Sequence, residues 1–373
     1  MAPTFSRARN DGPFLPSDVI YTIACLLDVP ERRALLLSCS EYHYAVARVL
    51  YRSIYVHIEG PTRGSKYLNH YPFHILSSLV RSMHPKTGLP PRINAQYMVT
   101  FAYLSYGPRA DFRAAPLLGE VLRAAVRLRH LRLEVADSAV DIVLDALRRA
   151  QVIIVPSTTF TTRSAAEYQI DRMILPCLES VRSTRLALVE ALMRYRNINT
   201  VVLDTVPNDK TLGIFLRTLP PWNPATLRRL ALSYCSVEFK PFLGAVFASF
   251  PGLEELSFRI PSRGFPALQF ATEAVSLLGE KAAYVPHLQM LAVGQVVWSE
   301  IGDELLDIFD DHVHQHCTAR PALRRVIVGS DTTWSRECAD AEMELTRICA
   351  IRHLPWLVDR NHGRWVLPWQ GFV

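Results

Sequence analysis

Glycine is scarce in this chain, 16 of 373 residues. The glycine patterns that let backbone N–H groups approach a phosphate are missing: neither G-x-x-x-x-G-K-[ST] nor G-x-G-x-x-G occurs. There is also no G-x-S-x-G elbow, no H-E-x-x-H pair and no H-R-D triplet. These absences exclude the common nucleotide-binding, serine-hydrolase, zinc-protease and kinase signatures. No catalytic residue, metal ligand or cofactor is therefore expected. Cysteine is sparse and odd in number: Cys25, Cys39, Cys177, Cys235, Cys317, Cys338 and Cys349, with no C-x-x-C pair and no Asn-x-Ser/Thr sequon. That usage implies reduced, mostly buried thiols in a cytoplasmic and/or nuclear protein. No run of five or six like charges occurs: 41 basic and 35 acidic residues, net +6, are spread along the chain, so no nucleic-acid partner is expected. The apolar stretch Val19 to Leu27 imitates a signal-peptide core, but Asp11 and Asp18 precede it and no small-residue cleavage site follows before Asp28 and Pro30. No apolar run approaches the ~20 residues of a membrane span, and no membrane association is expected.

What the chain does have is apolar bulk. Hydrophobic residues make up 49% and charged ones 20%, which predicts a large packed core and about two domains at this length. The first part, Leu15 to Ile54, carries three amphipathic segments. Pro16 suits a first helical position and Asp18 a first turn. Val19, Ile23, Leu26 and Leu27 then predict one apolar stripe. Asp28-Val29-Pro30 ends that helix, and Pro30-Glu31 opens a second with Ala34 to Leu37. Ser40 is predicted to cap a third with the stripe Tyr42, Ala45, Val46, Val49 and Leu50. Three such helices expose more apolar surface than they bury among themselves, which implies a partner.

This segment resembles an F-box, in particular the F-box-like domains of fungal multigene families. The resemblance rests on Leu15-Pro16 with Val19-Ile20, on Leu26-Leu27, on Ser38-Cys39-Ser40, and on Leu50-Tyr51-Arg52-Ser53-Ile54. Two features depart from the family pattern: Tyr42 or Tyr44 stands where a tryptophan is common, and Arg32-Arg33 where acidic or polar pairs are. The resemblance implies docking on a Skp-type adaptor and, through it, on a cullin scaffold. Leu15, Pro16, Ile20, Leu26, Leu27 and Leu37 would then be the adaptor-binding residues.

Beyond the first sixty residues one spacing recurs, with apolar residues at positions 1, 4 and 6. The copies are Leu128-Leu131-Leu133, Leu178-Val181-Ser183, Ile198-Val201-Leu203, Leu227-Leu230-Leu232, Leu253-Leu256-Phe258, Leu288-Leu291-Val293 and Leu323-Val326-Val328. Pro176, Pro251, Pro286 and Pro321 each stand two residues before a copy. The long gap after the first copy leaves room for a further strand at Gln151 to Val155. Between copies the apolar period turns helical, predicting helices at 139–150, 186–196, 211–219, 239–250, 270–278, 301–316 and 337–352. Strand and helix alternating on L-x-x-L-x-L resembles a degenerate leucine-rich repeat. The predicted fold class is α/β, with a short N-terminal three-helix F-box-like unit followed by an irregular leucine-rich-repeat-like solenoid. The expected domains are 1–58 (helical), 59–125 (a strand-and-helix cap: helices 67–83 and 116–127, strand 95–104) and 126–373 (repeats). Trp365, Trp369 and Phe372 are expected to cover the last repeat.

Two side-chain sets invite a chemical reading. His312, His314 and His316 alternate beside Asp310, Asp311 and Cys317; His312 and His316 share a helical face, but alternating histidines at a polar helix end are ordinary and no metal site is assigned. On the strands, residues between the inward apolar ones face the other side. Arg132, Arg229, Glu255, Arg259 and Arg325 fall there, as does Asp204, and form the expected surface for an unidentified target protein. The function implied is a non-catalytic substrate receptor of a Skp–cullin–F-box-type ubiquitin ligase. The alternative is a protein-interaction scaffold without a ligase partner.

Overall fold

The computed structural model describes residues 15–58, 71–84, 93–105, 107–153, 174–194, 196–204, 226–233, 239–259, 265–294, 303–317, 322–328, 332–335, 346–349, 357–359 and 364–366. The chain divides into two compact units, Met1–Ser53 and Ile54–Val373.

The first unit has three helices, α1 (Ser17–Leu26), α2 (Val29–Ser38) and α3 (His43–Leu50). Asp28 opens α2 with a capping box: its carboxylate accepts from the Glu31 N–H at 3.0 Å, and the Glu31 carboxylate accepts from the Asp28 N–H at 3.0 Å. Two helix-end donors are thereby satisfied locally. The third helix starts later than Ser40 suggests. Its N-cap is Tyr42, and the Ser40 carbonyl accepts from the His43 N–H at 3.3 Å. The core is Ile20, Ala24, Ala45 and Val46, with Tyr21, Ile23, Leu35, Leu36, Tyr42 and Val49 packed against it. The inward stripe of α1 thus runs through Ile20 and Ala24, rotated from the expected one, and Val19 and Leu26 turn outward. Small Ala24 and Ala45 allow α1 and α3 to approach closely, which decides the rotation.

The second unit is mixed α/β around a nine-strand parallel sheet that does not close into a barrel. The strands are β1 (Ser53–Ile58), β2 (Thr100–Ser105), β3 (His130–Glu134), β4 (Ser180–Ser183), β5 (Thr200–Leu203), β6 (Arg229–Ser233), β7 (Glu255–Arg259), β8 (Met290–Gly294) and β9 (Arg325–Val328). Each lies beside its sequence neighbour. Two antiparallel strands, β10 (Thr332–Ser335) and β11 (Thr346–Cys349), extend the sheet past β9. The helices are α4 (Tyr71–Met83), α5 (Pro108–Ala124), α6 (Val140–Arg149), α7 (Leu186–Met193), α8 (Phe239–Ser249), α9 (Phe265–Glu280) and α10 (Asp303–Cys317). Helices α4 to α7 pack in series, as do α8 to α10.

The recurring spacing is what aligns the strands. Leu131, Val181, Val201, Leu230, Leu256, Leu291 and Val326 occupy one register row, and all seven are buried. Burying each such side chain stabilises by roughly 1.5–3 kcal/mol. Phe258 meets Phe242 of α8 and Phe270 of α9 edge-on, at 6.3 and 5.8 Å between centroids, so this row's face carries the helices. Ser183, the polar exception, is satisfied by donating to the Leu133 carbonyl and accepting from the Arg185 N–H. The starts of β3 to β9 are pinned in the same way: one carbonyl accepts from two successive N–H groups at the start of the next strand. Arg129 O takes Glu179 and Ser180, Asn199 O takes Arg228 and Arg229, and Gln289 O takes Arg324 and Arg325. The prolines have a turn role. Leu175 O accepts from Leu178 N, Phe250 O from Leu253 N and Val285 O from Leu288 N, which puts Pro176, Pro251 and Pro286 at the second position of a β-turn, where a fixed φ is favourable.

Several boundaries differ from expectation. The helical unit ends at Ser53 rather than 58, because Val56 and Ile58 are buried in the sheet edge strand. Residues 100–124 form a strand and a helix continuing the sheet: β2 pairs with β3, placing Phe101 and Tyr103 level with Leu131 and Leu133. Helix α5 starts at Pro108 and runs through Pro116, because Ala114, Ala115, Leu118, Val121 and Leu122 are buried along it. Gly119 lets α6 approach; a Cβ there would lie 2.9 Å from the Ala146 carbonyl oxygen. Gln151 to Ile153 form no strand. They end α6 in a Schellman motif, with Gln151 N bonded to Arg148 O, Val152 N to Leu147 O, and Gln151 at φ 60°. Thr346–Cys349 is a strand, not helix; Thr346 and Ile348 are β-branched and pair with β10. Trp365 lies in a separate two-stranded sheet, β12 (Leu357–Asp359) with β13 (Arg364–Val366). Trp369, Phe372 and the helix expected at 211–219 lie outside the described residues.

Candidate functional site

Having built its own core, the helical unit still presents apolar side chains to solvent. Leu26 and Leu37 are 83% and 84% exposed, and Leu15, Val19, Val29 and Tyr44 are exposed too. Pro16 is exposed and Leu27 half-buried. Ile20 corrects the expected set: at 1% exposure it belongs to the interior, since its position on α1 points at Ala45 and Val46 of α3. The Arg32 departure has a local explanation. Its Nε donates to the Ala24 carbonyl at 2.7 Å, so a cation sits at the C-terminus of α1, where it is favourable. Arg48 lies 5.1 Å above the Tyr21 ring and 5.8 Å from that of Tyr44, so Tyr44 carries a cation on an otherwise apolar surface.

On the sheet, the positions alternating with the helix-facing row form three register rows. The first aligns His130, Ser180, Thr200, Arg229, Glu255, Met290 and Arg325; the second contains Arg132, Arg182 and Val202 through Ile327; Glu134 and Arg259 belong to the third. The four arginines expected on this face do share its parity, but they fall in three rows rather than one ladder. The middle row is closed: Val202, Ala231, Ser257, Ala292 and Ile327 are all buried. Arg132 Nε donates to Glu134 at 2.7 Å, with both side chains at most 10% exposed. Arg182 pairs with Asp204 on the next strand, and Arg229 with Glu255 at 3.1 Å. Among the described residues of β3 to β9, the exposed position on this face is Arg325, on the rim at the N-terminal ends of the strands. Arg129–Glu179 and Arg228–Glu254 pair there at 3.6 and 3.5 Å.

At the opposite strand ends, Asp111 of α5 is fully buried. Its carboxylate accepts from the Tyr103 hydroxyl at 2.8 Å and from the Ala136 N–H at 2.8 Å. Burial raises the Asp111 pKa, against the opposing effect of these bonds and of Arg185. Burial and the Asp111 charge push the Tyr103 hydroxyl up as well. With the Tyr103 hydroxyl held by Asp111 and Asp111 held in turn by the Ala136 backbone N–H, this is a structural link. The histidine cluster is also an interface. His312 Nε2 lies 2.8 Å from Ser276 Oγ and 3.2 Å from the Thr272 carbonyl of α9, and its ring is 4.5 Å from that of His316. Gly279 opposite is bare because a Cβ would come within 2.7 Å of His316 Nδ1. His314 faces Asp310 instead. Among the described residues no three His, Cys, Asp or Glu side chains gather as a metal site. Cys25 and Cys177 are exposed and Cys39 is half-buried, so these three are not among the buried thiols expected.

The sequence reading missed Met98-Phe101-Tyr103, an eighth copy of the spacing whose aromatic residues hid it. It also missed Arg324 and Arg228, which precede the strands by one residue. No protein-family model matches the chain, and a search of curated proteins finds no match. No helix among the described residues is long and apolar enough to cross a membrane.

Proposed function

We propose that the chain is a non-catalytic substrate receptor. In this reading the helical unit is an F-box-like module that docks on a Skp-type adaptor and, through it, on a cullin scaffold. The second unit is a degenerate leucine-rich-repeat solenoid that holds a target protein for ubiquitin transfer by other subunits. The observation that carries the reading is the surplus of exposed apolar side chains, Leu15, Val19, Leu26, Val29 and Leu37, on a unit whose core is already complete. Exposed apolar side chains are what an interaction surface on such a unit would present. The sequential parallel strand order supports the solenoid reading, since stacked strand–helix units contact only their neighbours.

The test is capture of a purified Skp-type adaptor by the full chain and by L26A/L37A. Both leucines are exposed, so the substitutions leave the fold intact. If they are interface hot spots each costs about 2 kcal/mol or more, and capture falls well beyond tenfold. Undiminished capture by the double variant would remove the F-box reading. Absence of any capture by the wild-type chain would leave a scaffold without a ligase partner.

A further inference from the structure

Three strands of the sheet are entered through a pair of basic residue types, the residue before the strand and its first residue: Arg129-His130 at β3, Arg228-Arg229 at β6 and Arg324-Arg325 at β9. The backbone at the second and third is held alike. Arg228 N and Arg229 N donate to Asn199 O at 2.8 and 2.9 Å, and Arg324 N and Arg325 N donate to Gln289 O at 2.8 and 3.0 Å. What differs is the strand that follows. Glu254 precedes β7 and Glu255 starts it, and they pair with Arg228 and Arg229 at 3.5 and 3.1 Å. At β3, Glu179 of the next strand pairs with Arg129 at 3.6 Å. The strand after β9 runs antiparallel, and its register places Ser335 opposite Arg325. Both Arg324 and Arg325 are exposed, and among the described residues neither has an ion-pair partner.

We propose that Arg324-Arg325 is an anchor for an acidic segment of a partner protein, two adjacent carboxylates taking the place that Glu254-Glu255 takes at β6. The fold itself supplies the template: the same backbone pose, the same residue pair, one example filled and one that no described residue fills, three strands apart, about 14 Å at the usual inter-strand spacing. The inference rests on the substrate-receptor reading for the partner's identity as a target. Its chemistry, an extended peptide bearing adjacent Asp or Glu side chains, comes from the filled dyad. Exposed pairs are individually weak and salt-sensitive, so the dyad orients an acidic stretch and sets its register rather than providing the whole affinity.

The test is fluorescence anisotropy of a labelled hexaglutamate peptide with the full-length chain, at low and moderate salt, with an oligouridylate as competitor probe. The wild type should bind the peptide in a salt-dependent manner. R324A/R325A should bind between about fivefold and about thirtyfold more weakly, with unchanged thermal melting. R109A/R113A, which removes the same charge from exposed positions of α5, should bind as the wild type does. Equal losses in R109A/R113A would reduce the effect to net charge and overturn the proposal. So would wild-type affinity in R324A/R325A, or tighter binding of the oligouridylate than of the peptide. Adaptor capture by R324A/R325A should be unaltered, so failure here is distinct from failure of the F-box reading, which L26A/L37A addresses.

Discussion

Removing the Asp111 carboxylate tests whether the segment containing β2 and α5 shares one cooperative core with the strands that follow. Asp111 joins three parts of the chain: its own helix α5, Tyr103 of β2 at 2.8 Å and the backbone N–H of Ala136 beyond β3 at 2.8 Å. In D111A the Tyr103 hydroxyl and the Ala136 N–H both lose their acceptor, at about 1–3 kcal/mol each when buried. Relief of the burial penalty on the carboxylate offsets part of this, so a net loss of about 2–4 kcal/mol is expected. At about 2–4 °C per kcal/mol for a domain of this size class, the melting temperature should fall by about 4–16 °C. Y103F alone should cost less, and the D111A/Y103F cycle should show a coupling of about 0.5–3 kcal/mol.

The pH dependence gives an independent check. Burial raises the Asp111 pKa above its ordinary 3.8, so between 3.8 and the folded value the native state binds the proton more tightly. The stability contributed by this group is therefore fully present below 3.8 and is lost as pH rises through the folded pKa. D111N, which cannot titrate, should lag further behind the wild type as the pH falls from 7 towards about 4. Urea unfolding at several pH values measures the gap. A gap that narrows on acidification, or a melting loss in D111A below about 1 kcal/mol, would refute both the burial argument and the single-core argument.

The His312 ring offers a second titration. Burial lowers its pKa, with His316 acting in the same direction and the Thr272 carbonyl opposing. The neutral form is favoured in the fold, so stability should rise with pH from the folded pKa up to the ordinary value near 6.5. In H312Q that limb should shrink in denaturant midpoints taken between about pH 5 and pH 7, with His130, whose pKa burial also lowers, accounting for what remains. At the end of α6, Gln151 holds a left-handed φ of 60° and is exposed, so Q151G should stabilise by about 0.5–1 kcal/mol while Q151A changes little. A destabilised Q151G in thermal melts would contradict the cap assignment.

Much of the architecture was written in local pattern. Leu128-Leu131-Leu133 and its counterparts announce strands because alternate side chains must enter one core, and register follows once those rows align. The prolines at 176, 251 and 286 announce turns because their φ suits one turn position. Asp28 and Glu31 cap α2 through contacts three residues apart. Such signals depend only on neighbours in sequence, so a sequence alone discloses them. The adaptor-facing set was legible only in part: Leu26 and Leu37 are outward, but Ile20 is inward, since the rotation of α1 is set by how closely α3 can approach. Met98-Phe101-Tyr103 escaped notice because any large apolar residue fills the same volume, and the spacing survives a change of residue type that a leucine pattern does not. Tertiary structure alone decided which charges are spent. Asp204 meets Arg182 from 22 residues away, and Glu255 meets Arg229 only because β6 and β7 lie side by side. No local rule couples residues that far apart in the chain. Whether an arginine on this face is neutralised or left open depends on the strand that happens to follow it, which is why Arg229 is held and Arg325 is exposed.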